Sequence, residues 1–514
     1  MTLIKLLKQC DAGMTGNVIN VAKANADAMV QAGDAEYAKK KDEKKEPKPI
    51  HTSRIIEKGV LWEQIYDPET RTSQFAAFDE KTQSLVTLPK HHINGVDYYP
   101  IQDKLLENGA VLLPSGIMEY GSPTDLDVEL NQYMYRYLDI TGEHRQKAVW
   151  YVRLTHVLEN INTIPYLRAL GDYGTGKTRY EDVIGGVCYK PMFVGGSVHA
   201  APIYRIIDLW HGTPIFDEFT LGKSDETEAI IQILNNGYQR GKPVIRCKAD
   251  NVDQVLCFDP FGPKILACRK AFTDQALESR CITEILGETT RNDIPSDLGT
   301  TFRKERDLIQ NMLLLYRFRT WDKINPEVTN SINFGPIMPR IKQTFLPFTV
   351  LFQYDPATLE TFVEGVKAQN EKSVEENSST FDGLLINSYL ELQNDGYDSI
   401  TAKILKDYLI HEHGADEKLN ERTIGKHLSP LGFISKQQKI MGKNQRAISI
   451  HDATIKRLIM RYVPSENQAE YLASLDRPKP PKQERISDKV EMTPELQKQC
   501  KKIDEQGWDS EVVT

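Results

Sequence analysis

Gly171-Asp172-Tyr173-Gly174-Thr175-Gly176-Lys177-Thr178 is a complete G-x-x-x-x-G-K-[ST] loop. The apolar run Ile164-Pro165-Tyr166-Leu167-Arg168-Ala169-Leu170 leads into it, and a helix-compatible segment from Thr178 to Val187 follows. Strand, loop and helix in that order are the setting in which such a loop cradles a polyphosphate. Glycines let backbone N–H groups curl around the phosphates, and the helix N-terminus adds partial positive charge. All eight residues are read as nucleotide-binding. Lys177 would reach the β- and γ-phosphates, and the Thr178 hydroxyl would sit on Mg²⁺. The expectation is a chain that binds ATP with Mg²⁺.

Downstream, the apolar stretch Thr213-Pro214-Ile215-Phe216 ends in Asp217-Glu218. Asp217 would hold Mg²⁺, largely through water, and Glu218 would polarise the attacking water, because phosphoryl transfer needs a positioned nucleophile and neutralised charge. An Asp-Glu pair standing alone reads equally as a surface turn; after a phosphate loop the catalytic reading gains. A further strand, Gly262 to Arg269, is followed by a short helix over Asp274 to Ser279, then Ser279-Arg280-Cys281 and a strand from Ile282 to Leu286.

Composition narrows the class. With 514 residues, 40% hydrophobic and 26% charged, the chain should hold about three globular domains. No apolar run approaches the 18 or so residues of a membrane span, and the N-terminal apolar stretch is too short for a convincing signal peptide. The seven cysteines form no C-x-x-C pair, which argues for reduced cytoplasmic thiols and against zinc or disulfides. Net charge is −8, so any nucleic-acid role needs locally concentrated basic surface.

The fold class expected is α/β, divided as follows. Residues 1–48 read as one or two short helices and a charged linker, and 49–145 as a mixed α+β domain with a helix near 124–138. A parallel-sheet ATPase core spans 146–290 and a helical lid 291–368. The polar stretch 369–379 reads as a linker. Residues 381–463 form a helix–helix–helix–hairpin unit, and 464–514 a flexible tail with a short helix near 493–504.

The order of these parts resembles that of the AAA+ ATPases. Leu234 to Gly241 and Phe261 to Ile282 are similar to a group of AAA+ proteins of prokaryotic chromosomes, phages and mobile elements, related to minichromosome-maintenance-like and phage primase–helicase ATPases. The resemblance covers about 95–350. It implies an arginine finger before the fifth strand, a role that falls on Arg280, with an ordinary salt bridge as the alternative. It implies a sensor at the end of the fourth strand, where the usual Asn, Thr or Ser is replaced by Cys268 followed by Arg269. It also implies a second sensor in the lid, matched by Arg340, or else an exposed arginine at a helix start.

Two segments are read as touching DNA. Gly241 to Phe258 has two alternating arms around Ala249-Asp250-Asn251, a hairpin that related helicases project into a pore; Arg246 and Lys248 would meet a phosphate backbone there. In the C-terminal unit, Thr401 to Leu409 and Asn420 to Leu428 read as a helix-turn-helix, with a wing around Met441 to Asn444. Ten Lys/Arg stand against two Asp/Glu between Lys418 and Arg461. That balance suits a winged helix facing phosphates through Arg422, Lys426, Lys443 and Arg446. The expected whole is a ring-forming, hexameric ATP hydrolase that translocates on DNA as a helicase. The alternatives are an ATP-switched initiator or loader and a protein-remodelling ATPase.

Overall fold

A computed structural model of the protein describes residues 2–7, 18–37, 47–195, 199–217, 225–248, 251–416, 418–440 and 443–476. The chain divides into two compact units, Met1–Ile332 with Gln343–Pro356 and Asn333–Lys342 with Ala357–Thr514.

The first unit is built on a five-stranded sheet of β1 (Tyr166–Leu170), β2 (Pro191–Val194), β3 (Thr213–Phe216), β4 (Ile265–Cys268) and β5 (Cys281–Ile285), in the order β2-β3-β4-β1-β5. Every pairing is parallel. Apart from Leu170 at its end, β1 is buried along its length, as are β3 and β4. Unbroken apolar runs of this kind are what a parallel sheet covered on both faces requires. Ile203, Ile207 and Trp210 of the helix Ala200–Trp210 share one core with Ile233, Leu234, Phe216 and Leu266. The exception within β1 is Arg168, whose guanidinium makes a two-pronged contact with Glu278 at 2.6 and 2.5 Å. A buried charge tolerates such a position because it is paired.

Residues 54–88 form a four-stranded antiparallel meander, Arg54–Glu57, Val60–Asp67, Thr72–Asp79 and Ser84–Leu88. It is tied to the rest of the unit by the buried Glu63, which meets Lys190 at 2.8 Å and Arg317 at 2.7 Å and accepts a hydrogen bond from the Tyr189 hydroxyl at 2.9 Å. The helix Pro123–Tyr137 opens on a reciprocal cap between Ser122 and Asp125, and Tyr133 and Tyr137 pack on Phe302 of the helix Thr300–Thr320.

The second unit holds the helices Phe381–Asn394, Ala402–His413, Glu421–Leu428 and Asp452–Tyr462. With them is a three-stranded sheet in which Lys443–Ser449 lies between Ile400–Thr401 and Ile434–Ile440. Leu385, Leu405, Leu409, Ile424, Leu428 and Ile459 form its core.

Three expectations change. Residues 2–37 are not only helical: Thr2–Leu6, Val18–Val21 and Ala35–Tyr37 form an antiparallel sheet, with a single helix at Lys23–Gln31. Ile4 and Leu6 are buried at a spacing of two, the period of a strand, on too short a run to overrule helix propensity. The polar stretch 369–379 is not a linker; through Ser378 it continues the helix Pro356–Ser378, which buries Asn370 and Val374. Of the stretch expected to be a flexible tail, Ser465–Asp476 is a helix; the short helix expected near 493–504 lies outside the described residues. Among the described residues no helix is long and apolar enough to cross a membrane.

Candidate nucleotide-binding site

Strand order sets the site. Leu170, the last residue of β1, lies between Cys268 of β4 and Ile285 of β5, and β3 borders β4 on the far side. The carboxyl ends of β1, β4 and β3 are thus adjacent, and in open α/β sheets that edge is where ligands bind. The loop 171–176 leaves the sheet there and enters the helix α1 (Lys177–Ile184).

Within the loop, Gly174 and Gly176 have φ of +74° and +90°, which side chains rarely adopt. Gly171 is required for a different reason. A Cβ there would stand 2.5 Å from Thr175 Oγ1 and 2.9 Å from the carbonyl oxygen of Leu286. Lys177 is buried, and its Nζ donates to the carbonyls of Gly171 at 3.0 Å and Asp172 at 2.5 Å. The ammonium is therefore held across the loop's own mouth. Thr178 is exposed on the first turn of α1.

Asp217 follows the last residue of β3. Its Oδ1 and Oε1 of Glu181 on α1 are both buried, and the two carboxyl groups lie against each other. Burial, then the neighbouring Asp217 and Asp182 carboxylates, push the Glu181 carboxyl up to about 9. The carboxyl group at the end of β3 and the Thr178 hydroxyl on the first turn of α1 are the hard oxygen donors on this sheet edge, and Thr178 with Asp217 are the residues that would hold Mg²⁺. Sequence reading missed Glu181. The available signal was its position three residues after Thr178, on the same face of α1.

The remaining predicted residues fall as follows. Glu218 lies outside the described residues. Cys268 is buried, and burial pushes its thiol up to about 12. The half-buried Arg269 stacks on Tyr173 of the loop, 3.6 Å from the ring centroid, and donates a hydrogen bond to its hydroxyl. Arg280 comes immediately before β5, donates to Asn235 Oδ1 and lies 5.3 Å from the Tyr238 ring centroid. Those contacts belong to its own chain. Arg340 is half-buried on the helix Pro339–Phe345 and belongs to the second unit.

The DNA candidates occupy two hairpins and a helix. Val244–Lys248 pairs antiparallel with Asn251–Phe258, and Arg246 donates to Gln232 Oε1 at 3.3 Å. The Lys248 and Lys443 side chains are outside the described residues. Arg422 and Lys426 are exposed on Glu421–Leu428, and Arg446 is exposed on the strand Lys443–Ser449.

No protein-family model matches the chain, and no curated protein matches it. Among solved structures, the apo C-terminal region of NrS-1 aligns with 85% of this chain and 92% of its own, at 12% identity and a TM-score of 0.33. The full-length MCM homolog from Methanopyrus kandleri aligns over 61% and 76%, at 11% identity and 0.29. An inhibitor-bound JCV helicase aligns over 48% and 65%, at 13% identity and 0.24. Likeness of this degree carries no argument by itself; the chain's own sheet order and loop geometry must carry the reading.

Proposed function

We propose that this chain is an ATP-hydrolysing AAA+ motor that assembles as a ring and translocates on DNA, in the manner of a helicase. The observation that carries the reading is the convergence at one sheet edge of the glycine loop, Lys177 at the start of α1, and the Asp217 carboxyl beside Glu181. Loop N–H groups and the helix start bind the β- and γ-phosphates, and Lys177 places its charge against them. Bound Mg²⁺ would supply charge neutralisation at the phosphates, held by Thr178 and Asp217. Glu218, next to Asp217 in the chain, orients the attacking water. Arg280 acts on the neighbouring subunit's nucleotide, exchanging its contacts with Asn235 and Tyr238 for phosphate oxygens. Arg340 is the second sensor.

The second unit is read as ending in a winged helix. Its element order of helix, short strand, two helices and hairpin supports this, as does the exposure of Arg422, Lys426 and Arg446. Phosphate contacts from these residues and from the hairpin 244–258 give affinity without sequence choice.

The direct test is nucleotide binding and turnover with Lys177→Ala as the blank. Loss of both in the variant is the expected result; turnover at the wild-type rate would remove the phosphate loop from the account. Turnover that ignores DNA would favour a protein-remodelling ATPase. DNA binding that needs ATP without stimulated hydrolysis would favour an initiator or loader.

A further inference from the structure

The second unit carries its charge in blocks. Residues 357–417 hold thirteen Asp/Glu against four Lys/Arg, whereas Lys418 to Arg461 hold ten Lys/Arg against two Asp/Glu. Beyond the helix Ser465–Asp476, residues 477–502 hold eight Lys/Arg against four Asp/Glu. The block 503–514 reverses the sign again: its charges are Asp504, Glu505, Asp509 and Glu511, with no Lys or Arg.

The cations of the basic block stand open. Arg422 and Lys426 are exposed four residues apart, on one side of the helix Glu421–Leu428. In the hairpin, Arg446 lies opposite Gln437 and Lys439 opposite Asn444. Arg446 and Lys439 therefore share one side of the ribbon, and both are exposed. Among the described residues none of these four cations meets a carboxylate; the pairs of this unit are Lys406–Asp407, His413–Glu391 and His427–Asp382. By contrast, Arg136, Arg291 and Arg319 of the first unit are each paired, at 3.3, 2.6 and 2.7 Å.

An acidic segment tethered to this unit is repelled by 357–417 and drawn to 418–461. Residues 477–503 span at most ~95 Å when fully extended. A compact unit of this size has a radius of gyration of about 14 Å, so the segment beyond them reaches any of its faces. Tethering raises the local concentration toward the millimolar range, so a few exposed ion pairs, each weak alone, are enough to occupy the basic side chains part of the time. We propose that residues 504–511 dock on Arg422, Lys426, Lys439 and Arg446 and compete there with DNA phosphates, an autoinhibitory contact that DNA displaces. The competition rests on the reading of those residues as the DNA contact; the docking rests on the charge pattern alone.

The test compares the full chain with a neutralised chain carrying Asp504→Asn, Glu505→Gln, Asp509→Asn and Glu511→Gln. Equilibrium binding of duplex DNA is read at about 50 mM and about 300 mM salt. The neutralised chain should bind DNA about three- to tenfold more tightly at the lower salt. At the higher salt the gain should fall below about twofold, because screening weakens the docked contact. In parallel, a fluorescent peptide of residues 503–514 should bind the DNA-free neutralised chain saturably. Arg422→Ala with Arg446→Ala in that chain should weaken peptide binding about fivefold or more. Equal DNA affinity of the two chains at low salt would overturn the competition. Peptide binding that is absent, or that the double variant leaves unchanged, would overturn the docking. If neither chain binds DNA, the DNA reading of these residues fails, and the peptide measurement alone decides the docking.

Discussion

Gly171 shows how a single residue serves the site. Its importance lies in space rather than in backbone angle, since a methyl group would press on the Leu286 carbonyl, a backbone atom that cannot rotate away. Gly171→Ala should therefore cost about 1–3 kcal/mol of stability, the usual scale for overpacking, and should weaken nucleotide binding at least tenfold. Thermal unfolding and equilibrium binding check this, and wild-type behaviour in both would mean the loop relaxes freely. The glycine loop between strand and helix, and the place of Asp217 at the end of a strand, were legible from sequence because each follows from residue types at fixed spacing. Tyr173–Arg269 and Glu181–Asp217 were not, because each joins segments that only the sheet order brings together. The same holds for Glu63, Lys190 and Arg317, where no local pattern marks a buried ion cluster.

At the scale of elements, what could be read followed period and punctuation. The helix predicted near 124–138 is Pro123–Tyr137, opened by Ser122 and a proline. The strands Val60–Asp67 and Ser84–Leu88 fall on the alternating stretches Gly59 to Tyr66 and Ser84 to Leu88. The error at 369–379 came from treating polarity as a break, although that stretch holds no glycine or proline and continues a helix. Asn420 caps the helix Glu421–Leu428, accepting from the Thr423 N–H at 2.9 Å. Asn420→Ala should cost about 1 kcal/mol, seen as earlier melting of the second unit and weaker DNA binding, with ATP affinity unchanged. Unaltered melting would mean that the helix does not depend on its cap. On the same helix, Arg422→Ala with Lys426→Ala should weaken DNA binding across sequences and flatten its salt dependence by roughly one to two counterions. An unchanged salt slope would take this helix off the DNA.

At the scale of the whole molecule, Glu63 ties the meander to the strand and helix behind the sheet. Burial pushes its carboxyl up, but Lys190, Arg317 and Arg54 pull it further down, to about 2. The unfolded chain titrates this group near 4.5, so its contribution is complete above that pH and is lost as pH falls through about 2. Acid unfolding should steepen across that window. Glu63→Gln should flatten it while costing about 3–5 kcal/mol near neutrality, because the buried cations lose their counter-charge. A variant with wild-type stability at neutral pH would show that the cluster contributes little to holding the meander in place.

The central claim pairs a phosphate loop in the first unit with DNA contact through the hairpin 244–258 and the second unit, and one measurement addresses both. That measurement is ATP turnover by the purified protein, alone and with single-stranded or duplex DNA at fixed low salt, with Lys177→Ala as the blank. The account predicts turnover that DNA stimulates severalfold and that Lys177→Ala abolishes. Turnover abolished in the variant but indifferent to DNA would contradict the motor on DNA, and turnover that survives the variant would contradict the site itself.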